Sequence, residues 1–419
     1  MKHGTFYKNT LWQYGLQILK YLFPLLLIPY LTRVLGTEGY AVYAYVLSFM
    51  GVVQTIADFG FTLSGTKKVV DLKGDTAALS RLVGAITVAR LMLLCGLFIC
   101  VMVITRFIPI LAENAVYVIW AFFATAGRTV LPDFIFQGNE HMGPLTTRYF
   151  ASKGVQVVLT ILLVRGPEDL ILVAVADVLS EIVDIAWSYR AQMRMFGIGI
   201  ARPTFKESFE ELRVSAIYCV SNVSSSLFSG FTTVIIGLAI TSKTDIAFWS
   251  LTLTTVNAVQ SLYTPIANSL YPHMIKSKDF GFARKLALAA LPALVLGTVA
   301  YCALSGPIML ILGGPEYVGG SHVMWMISPI FIFSFYGILI GWPVLGAMGR
   351  VKELTASTLF TGIVNVVSLL ALYLAGLITL DVICVVRWGC DALLLLARAL
   401  ILWHAVHAEN NHRDSSKEH

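Results

Sequence analysis

Charge is scarce in this sequence. Of 419 residues, 13% are Asp, Glu, Lys or Arg, about half the ~25% usual in soluble globular chains. Long polar stretches are absent as well. No segment between apolar runs exceeds roughly 25 residues, which leaves no room for a separate catalytic or nucleotide-hydrolysing domain. No G-x-x-x-x-G-K-[ST], H-E-x-x-H or C-x-x-C run occurs, and the histidines form no ligand spacing. Enzyme activity, a bound metal or another cofactor is therefore not expected. The six cysteines all fall inside apolar runs, which fits buried small apolar residues better than a disulfide framework. A cleavable leader is missing too: Met1–Lys8 runs into an apolar stretch without a small-residue cleavage site, so it reads as the start of a first span. The net charge of +6 does not point to nucleic acid, because the cations lie in short segments beside apolar runs.

What the chain has instead is apolar length. Apolar residues make up 57%, the mean hydropathy is +0.77, and runs of the ~20 residues that a spanning helix needs recur from end to end. The expected fold is an all-α membrane protein with about 12 transmembrane helices. They are expected near 10–32, 40–60, 82–104, 114–136, 146–164, 169–189, 214–240, 246–271, 286–311, 323–346, 355–376 and 381–403. Strands are not expected, since membrane barrels alternate over segments of about ten residues. Assigning the connections alternately from a cytoplasmic N-terminus counts 21 cations on the inner side, Arg148 and Lys153 among them. Only 4 fall outside: Arg33, Arg106, Arg165 and Lys243. Short cytoplasmic loops carry such an excess, so both termini are expected in the cytoplasm.

The longest polar stretch, Arg190–Arg213, divides the chain into two expected six-helix lobes, 1–205 and 206–419. An offset of about 206 aligns Ala41-Val-Tyr43 with Ala247-Phe-Trp249, and Val53-Gln54-Thr55 with Val259-Gln260-Ser261. The reading is a duplicated unit whose copies share one orientation, and transporters commonly place their site between such repeats near the midplane.

Charge at bilayer depth costs at least about 2.5–3.5 kcal/mol per group. Polar residues inside the spans therefore need a partner, a wet cavity or a function. Gln13, Gln17, Lys20 and Pro24 share one face of the first helix, and Pro24 and Pro29 are expected to bend it beside a cavity. Lys20 either lines that cavity or snorkels towards the headgroups. The second helix places Gln54 and Asp58 on one face, and the eighth aligns Asn257, Gln260, Thr264 and Asn268. The seventh is rich in hydroxyls, Ser225 and Ser229 among them. Hydroxyls can join packed helices or line a polar passage, and a common central cavity on helices one, two, seven and eight is expected. Arg90 and Arg128 are candidate anion contacts or members of structural pairs such as Arg90 with Asp133. Asp177, Glu181 and Asp184 form one acidic edge of the sixth helix, and Arg387, Asp391 and Arg398 on the twelfth read as an internal ion pair. Asp58, Asp133 and the helix-six acids would permit proton coupling, although nothing selects one.

Several short runs carry a resemblance. They are Asn9-Thr-Leu-Trp12, Leu26-Leu-Ile-Pro-Tyr-Leu-Thr-Arg-Val-Leu-Gly36, Glu38-Gly-Tyr40, Asp58-Phe-Gly-Phe61, Phe136-Gln-Gly-Asn-Glu140 and Gly362-Ile-Val-Asn365. Through them the whole chain resembles the polysaccharide flippases of the multidrug/oligosaccharidyl-lipid/polysaccharide exporter superfamily. The nearest group looks like the Wzx-type translocases of O-antigen repeat units. The resemblance implies a V-shaped, two-lobed transporter with a cationic lumen. It would move an undecaprenyl-diphosphate-linked oligosaccharide from the cytoplasmic to the periplasmic leaflet of a bacterial inner membrane by alternating access, beside the polysaccharide polymerase machinery. Lys20, Arg90 and Arg128 would attract the diphosphate. Gln17, Gln54, Asp58, Ser225, Ser229, Asn257 and Gln260 would complete the lining. The alternatives are a drug or cation exporter on the same fold, for which a positive lumen is a poor host, and a polytopic glycan polymerase or ligase, which needs a larger outer loop than this chain has.

Overall fold

The computed structural model describes residues 3–263, 266–267, 270–271, 274 and 280–415; the side chains of 3–10, 217–218, 220–229 and 407–415 lie outside that description. The described residues form helices and short connections, with no strand among them. Contacts divide the chain into two compact units, Met1–Leu238 and Ala239–His419.

In the first unit, α1 (His3–Asp58) takes in the first two expected spans without a loop between them. Its backbone stays helical through Pro24 and Pro29 and turns only at Gly36, where φ is +67° and ψ −177°. The expected bend therefore lies at Gly36 and not at the prolines. A left-handed φ is open to glycine at no steric cost, whereas neighbouring helices let membrane helices tolerate proline. After Asp58 the chain reverses through Phe59 (φ 48°) and Gly60 (φ 79°) into α2 (Phe61–Asp71). Asp75 then caps α3 (Thr76–Thr105), its carboxylate accepting from Ala78 N at 2.9 Å.

A short α4 (Pro109–Ala112) leads to α5 (Ala115–Thr129) and α6 (Asp133–Gly138). The expected fourth span is thus interrupted at Val130–Pro132, where proline offers no donor to the preceding turn. The unit continues with α7 (Gly143–Leu163), α8 (Leu170–Phe196) and α9 (Phe205–Ala239). Here α8 runs on past Arg190 and α9 begins before Arg213, so the expected polar connection shrinks to residues 197–204. That connection is fastened to α3: Ala201 N donates to Ser80 O at 3.1 Å and Gly199 N to Ser80 Oγ at 3.0 Å. Gly84 permits the close approach, since a Cβ there would run into the Ala201 carbonyl.

The second unit contains α10 (Lys243–Ser261), α11 (Phe280–Ala303), α12 (Ser305–Leu312), α13 (Ser321–Ile327), α14 (Ile330–Leu339), α15 (Val351–Leu374) and α16 (Leu380–Ser415). Between α14 and α15, residues Ile340–Gly346 wind as a π-helical turn broken at Gly341 (ψ −115°).

Five described helical stretches are long and apolar enough to cross a membrane, and six when the bent pair Pro315–Ile327 and Ile330–Gly346 is taken as one. The distribution of side chains is inverted relative to a soluble protein. Leu11, Leu296 and Leu374 are 70–76% exposed, while Arg90, Arg148, Glu181 and Asp184 are buried. Large apolar patches on the outside with charge inside require a surrounding apolar solvent. The chain is a multi-pass membrane protein.

Candidate functional site

The buried charge of the first unit is gathered on one face of α8. Asp177, Glu181, Asp184 and Ser188 recur at i, i+4, i+7 and i+11, and all are buried. The acidic edge expected from the sequence is therefore neither solvated nor lining a wide passage. It is met by three cations from neighbouring helices. From α5, Arg128 pairs with Asp177 and, through Nε at 3.1 Å, with Glu181. From α7, Lys153 Nζ lies 3.0 Å from Asp177 and 2.9 Å from Glu181. One turn and a half nearer the start of α7, Arg148 lies 2.8 Å from Asp133 and 2.5 Å from Asp184, and donates to Ser188 Oγ at 2.6 Å. Gly127 lets α5 sit close enough, since a Cβ there would stand 2.8 Å from Glu181 Cβ. Small residues at helix contacts commonly serve this purpose in membranes.

Arg148 and Lys153, counted from sequence among the cations of the inner ends, thus belong to the helix interior. A cavity of about 30 Å³ adjoins the cluster beside Tyr43, Tyr117, Thr125, Arg128, Gln156 and Asp177. It has room for a water or two and none for a sugar.

Arg90 on α3 has a separate structural task. Its guanidinium lies between the Phe61 and Phe134 rings, 5.6 and 5.8 Å from their centroids. Nη1 donates to Leu131 O at 2.8 Å, the carbonyl next to the break at Pro132, and Tyr189 Oη donates to the adjacent Val130 O at 3.0 Å. The two side chains supply donors that the interrupted helix cannot. Its carboxylate partner is Asp58, at 3.5 Å. This corrects the pairing of Arg90 with Asp133 considered from sequence, because Asp133 is held by Arg148. Thr62 also donates to Asp58 at 2.8 Å, and that carboxylate remains half-buried.

Of the other residues singled out in the sequence, Gln17 and Lys20 are exposed on α1, and Lys20 makes no ion pair among the described residues. Gln54 is half-buried on α1. In the second unit Asn257 is exposed and Gln260 half-buried on α10. The side chains of Ser225 and Ser229 lie outside the described residues, as do Thr264 and Asn268. On α16, Arg398 is not confined to an ion pair: it donates to Gly337 O at 2.5 Å and Thr358 Oγ1 at 3.0 Å beside the broken turn at Gly341. Each unit thus sets a buried arginine against a carbonyl near a helix break, at Pro132 in the first and at Gly341 in the second. All six cysteines are free; Cys384 and Cys390 are buried, whereas Cys95 and Cys100 are exposed on α3. Among the described residues no cluster of His, Cys, Asp or Glu is arranged to hold a metal ion.

Two solved structures share this architecture. A multidrug resistance MATE family transporter of the MOP superfamily, in its inward-facing conformation, superposes with a TM-score of 0.69 at 13% identity, covering 94% of this chain and 96% of the other. The lipid II flippase MurJ, in an inward closed conformation, gives 0.69 at 13% identity, covering 94% and 87%. At the sequence level, the protein of Escherichia coli (strain K12) named "Putative O-antigen transporter" is 25% identical over 355 residues, 80% of this chain and 82% of that one. A protein of the same name from Shigella dysenteriae is 22% identical over 372 residues, 85% and 90% of the two chains. The model of the family described as polysaccharide biosynthesis protein matches residues 6–278. With well over half its length matched, the chain belongs to the polysaccharide biosynthesis protein family.

Proposed function

We propose that this protein is a flippase of a bacterial inner membrane. It carries an undecaprenyl-diphosphate-linked oligosaccharide, an O-antigen or related repeat unit, from the cytoplasmic to the periplasmic leaflet by alternating access and without catalysis. Family membership and the O-antigen transporter names of its relatives support the substrate class. At the level of residues, one observation carries the reading. Arg90, Arg128, Arg148 and Lys153 all face carboxylates, whereas Lys20 is exposed on α1 without an ion-pair partner among the described residues. A lone ammonium within a span is costly unless it snorkels to the headgroups or meets an anion in passage, and a diphosphate is such an anion. Gln17 and Gln54 on α1, and Asn257 and Gln260 on α10, offer hydrogen bonds to sugar hydroxyls. Two six-helix lobes divided near 205/206, twelve crossings and cytoplasmic termini belong to the same proposal.

Expression in a strain lacking its O-antigen flippase should restore surface glycan, and reporter fusions should fix the orientation. Fusions at Lys73 and Arg202 should report cytoplasm and one at Lys243 periplasm. Unrestored glycan at normal membrane abundance would count against the substrate class. Reversed reporters would count against the orientation.

A further inference from the structure

One flank of α8, beside its acidic edge, takes no part in the ion pairs among the described residues of the first unit. Leu179, Val183, Trp187, Arg190 and Arg194 follow one another at i, i+4, i+8, i+11 and i+15, a single stripe along one flank of the helix, with Trp187 three residues on from Asp184 of the acidic edge. Leu179 and Trp187 are 41% and 44% exposed, and Arg190 and Arg194 are exposed as well. Beside the lower part of this stripe lies an open groove of about 640 Å³ whose described lining, from Val183 to Met195 and including Trp187, Arg190 and Arg194, lies wholly on α8. Neither arginine has a hydrogen bond or ion pair among the described residues. Below the arginines the helix ends at Phe196, where Gly197 closes it in a left-handed turn.

We infer that this groove is a binding site for one anionic glycerophospholipid of the surrounding bilayer. The three parts of such a lipid match the three parts of the stripe. Acyl chains lie along Leu179 and Val183. The glycerol level meets Trp187, an aromatic of the kind that settles at the membrane–water interface. The phosphodiester reaches Arg190 and Arg194, one turn apart, whose guanidinium groups suit phosphate geometry. An uncharged glycerol headgroup adds nothing unfavourable. The ammonium of phosphatidylethanolamine would face two guanidinium groups and be repelled. Cations this close to an anionic headgroup each strengthen binding about fivefold, so the pair is worth about thirtyfold in affinity. The site depends on the chain being embedded in a membrane. It does not depend on what the chain transports, so its failure and the failure of the flippase reading are separate results.

The test is native mass spectrometry of the full chain released from delipidating detergent, with phosphatidylglycerol or phosphatidylethanolamine of matched acyl chains added back. The wild type should retain one phosphatidylglycerol at concentrations where phosphatidylethanolamine is lost. The double variant Arg190→Ala/Arg194→Ala should weaken phosphatidylglycerol binding about thirtyfold, and Trp187→Ala should weaken it less. Removing two exposed cations elsewhere, Lys67→Ala/Lys73→Ala, should leave that bound lipid in place. Equal retention of the two lipids by the wild type overturns the inference, whatever the variants do. Equal loss in the Lys67/Lys73 variant overturns it too, since only general surface charge would then be at work. So does thermal stabilisation by inorganic phosphate matching that by phosphatidylglycerol, because the groove would then take a free anion.

Discussion

Replacing Arg128 with leucine should strip most of the folded protein from the membrane. The substitution leaves Asp177 and Glu181 sharing the single ammonium of Lys153, two buried carboxylates against one cation. Breaking a buried pair by removing one partner costs about 3–5 kcal/mol, a large fraction of the total stability of ~5–15 kcal/mol typical of a folded protein. The loss should be repaired in part by a second substitution, Asp177→Asn, which returns the site to one carboxylate and one ammonium. Fluorescence-detected gel filtration of solubilised membranes reads both variants. A monodisperse Arg128→Leu protein at wild-type abundance would mean that the cluster contributes little to stability, and would make Arg128 available to an anion.

Lys20 should behave in the opposite way. Exposed and without an ion-pair partner among the described residues, it strands no carboxylate when removed. Lys20→Ala should keep normal abundance and lower surface glycan severalfold. Lys20→Glu should abolish the glycan, because a carboxylate repels a diphosphate where the ammonium attracted it. Lys20→Arg should retain partial function, since the charge is kept while hydration and geometry change. Immunoblotting of surface glycan beside membrane abundance separates the cases. Wild-type glycan in Lys20→Glu would remove Lys20 from the passage, and a fall in abundance that matches the fall in glycan would make its role structural.

The contrast between these two residues marks what could be read in the sequence. The length and continuity of the apolar runs announce membrane helices because a span must satisfy its own backbone and cover about 30 Å of hydrocarbon. Local punctuation was legible only in part. Pro24, Pro29 and Pro132 are the same residue type, yet α1 passes through the first two and α5 stops before the third. What decides is the neighbourhood: at Pro132, Arg90 and Tyr189 arrive to satisfy the Leu131 and Val130 carbonyls. The periodicity of α8 did show that Asp177, Glu181 and Asp184 share a face. It could not show that Arg128, Lys153 and Arg148 come from other helices to meet them, because such pairing is set by packing at separations of 24 to 53 residues. Arg148, in the second turn of α7, was hidden for a further reason. Near a helix end a basic residue looks the same whether it faces the cytoplasm or turns inward, and only the acids across from it settle the matter.

Movement of a lipid-linked oligosaccharide between leaflets can be read in reconstituted membranes. Proteoliposomes carrying the purified protein and an undecaprenyl-diphosphate-linked oligosaccharide would be treated with a membrane-impermeant glycosidase. With the wild type, the cleavable fraction should rise beyond the outer-leaflet share accessible in protein-free liposomes, and with Lys20→Glu it should stay at that share. A wild-type fraction equal to that of protein-free liposomes, from monodisperse protein, would mean that the chain does not translocate this lipid.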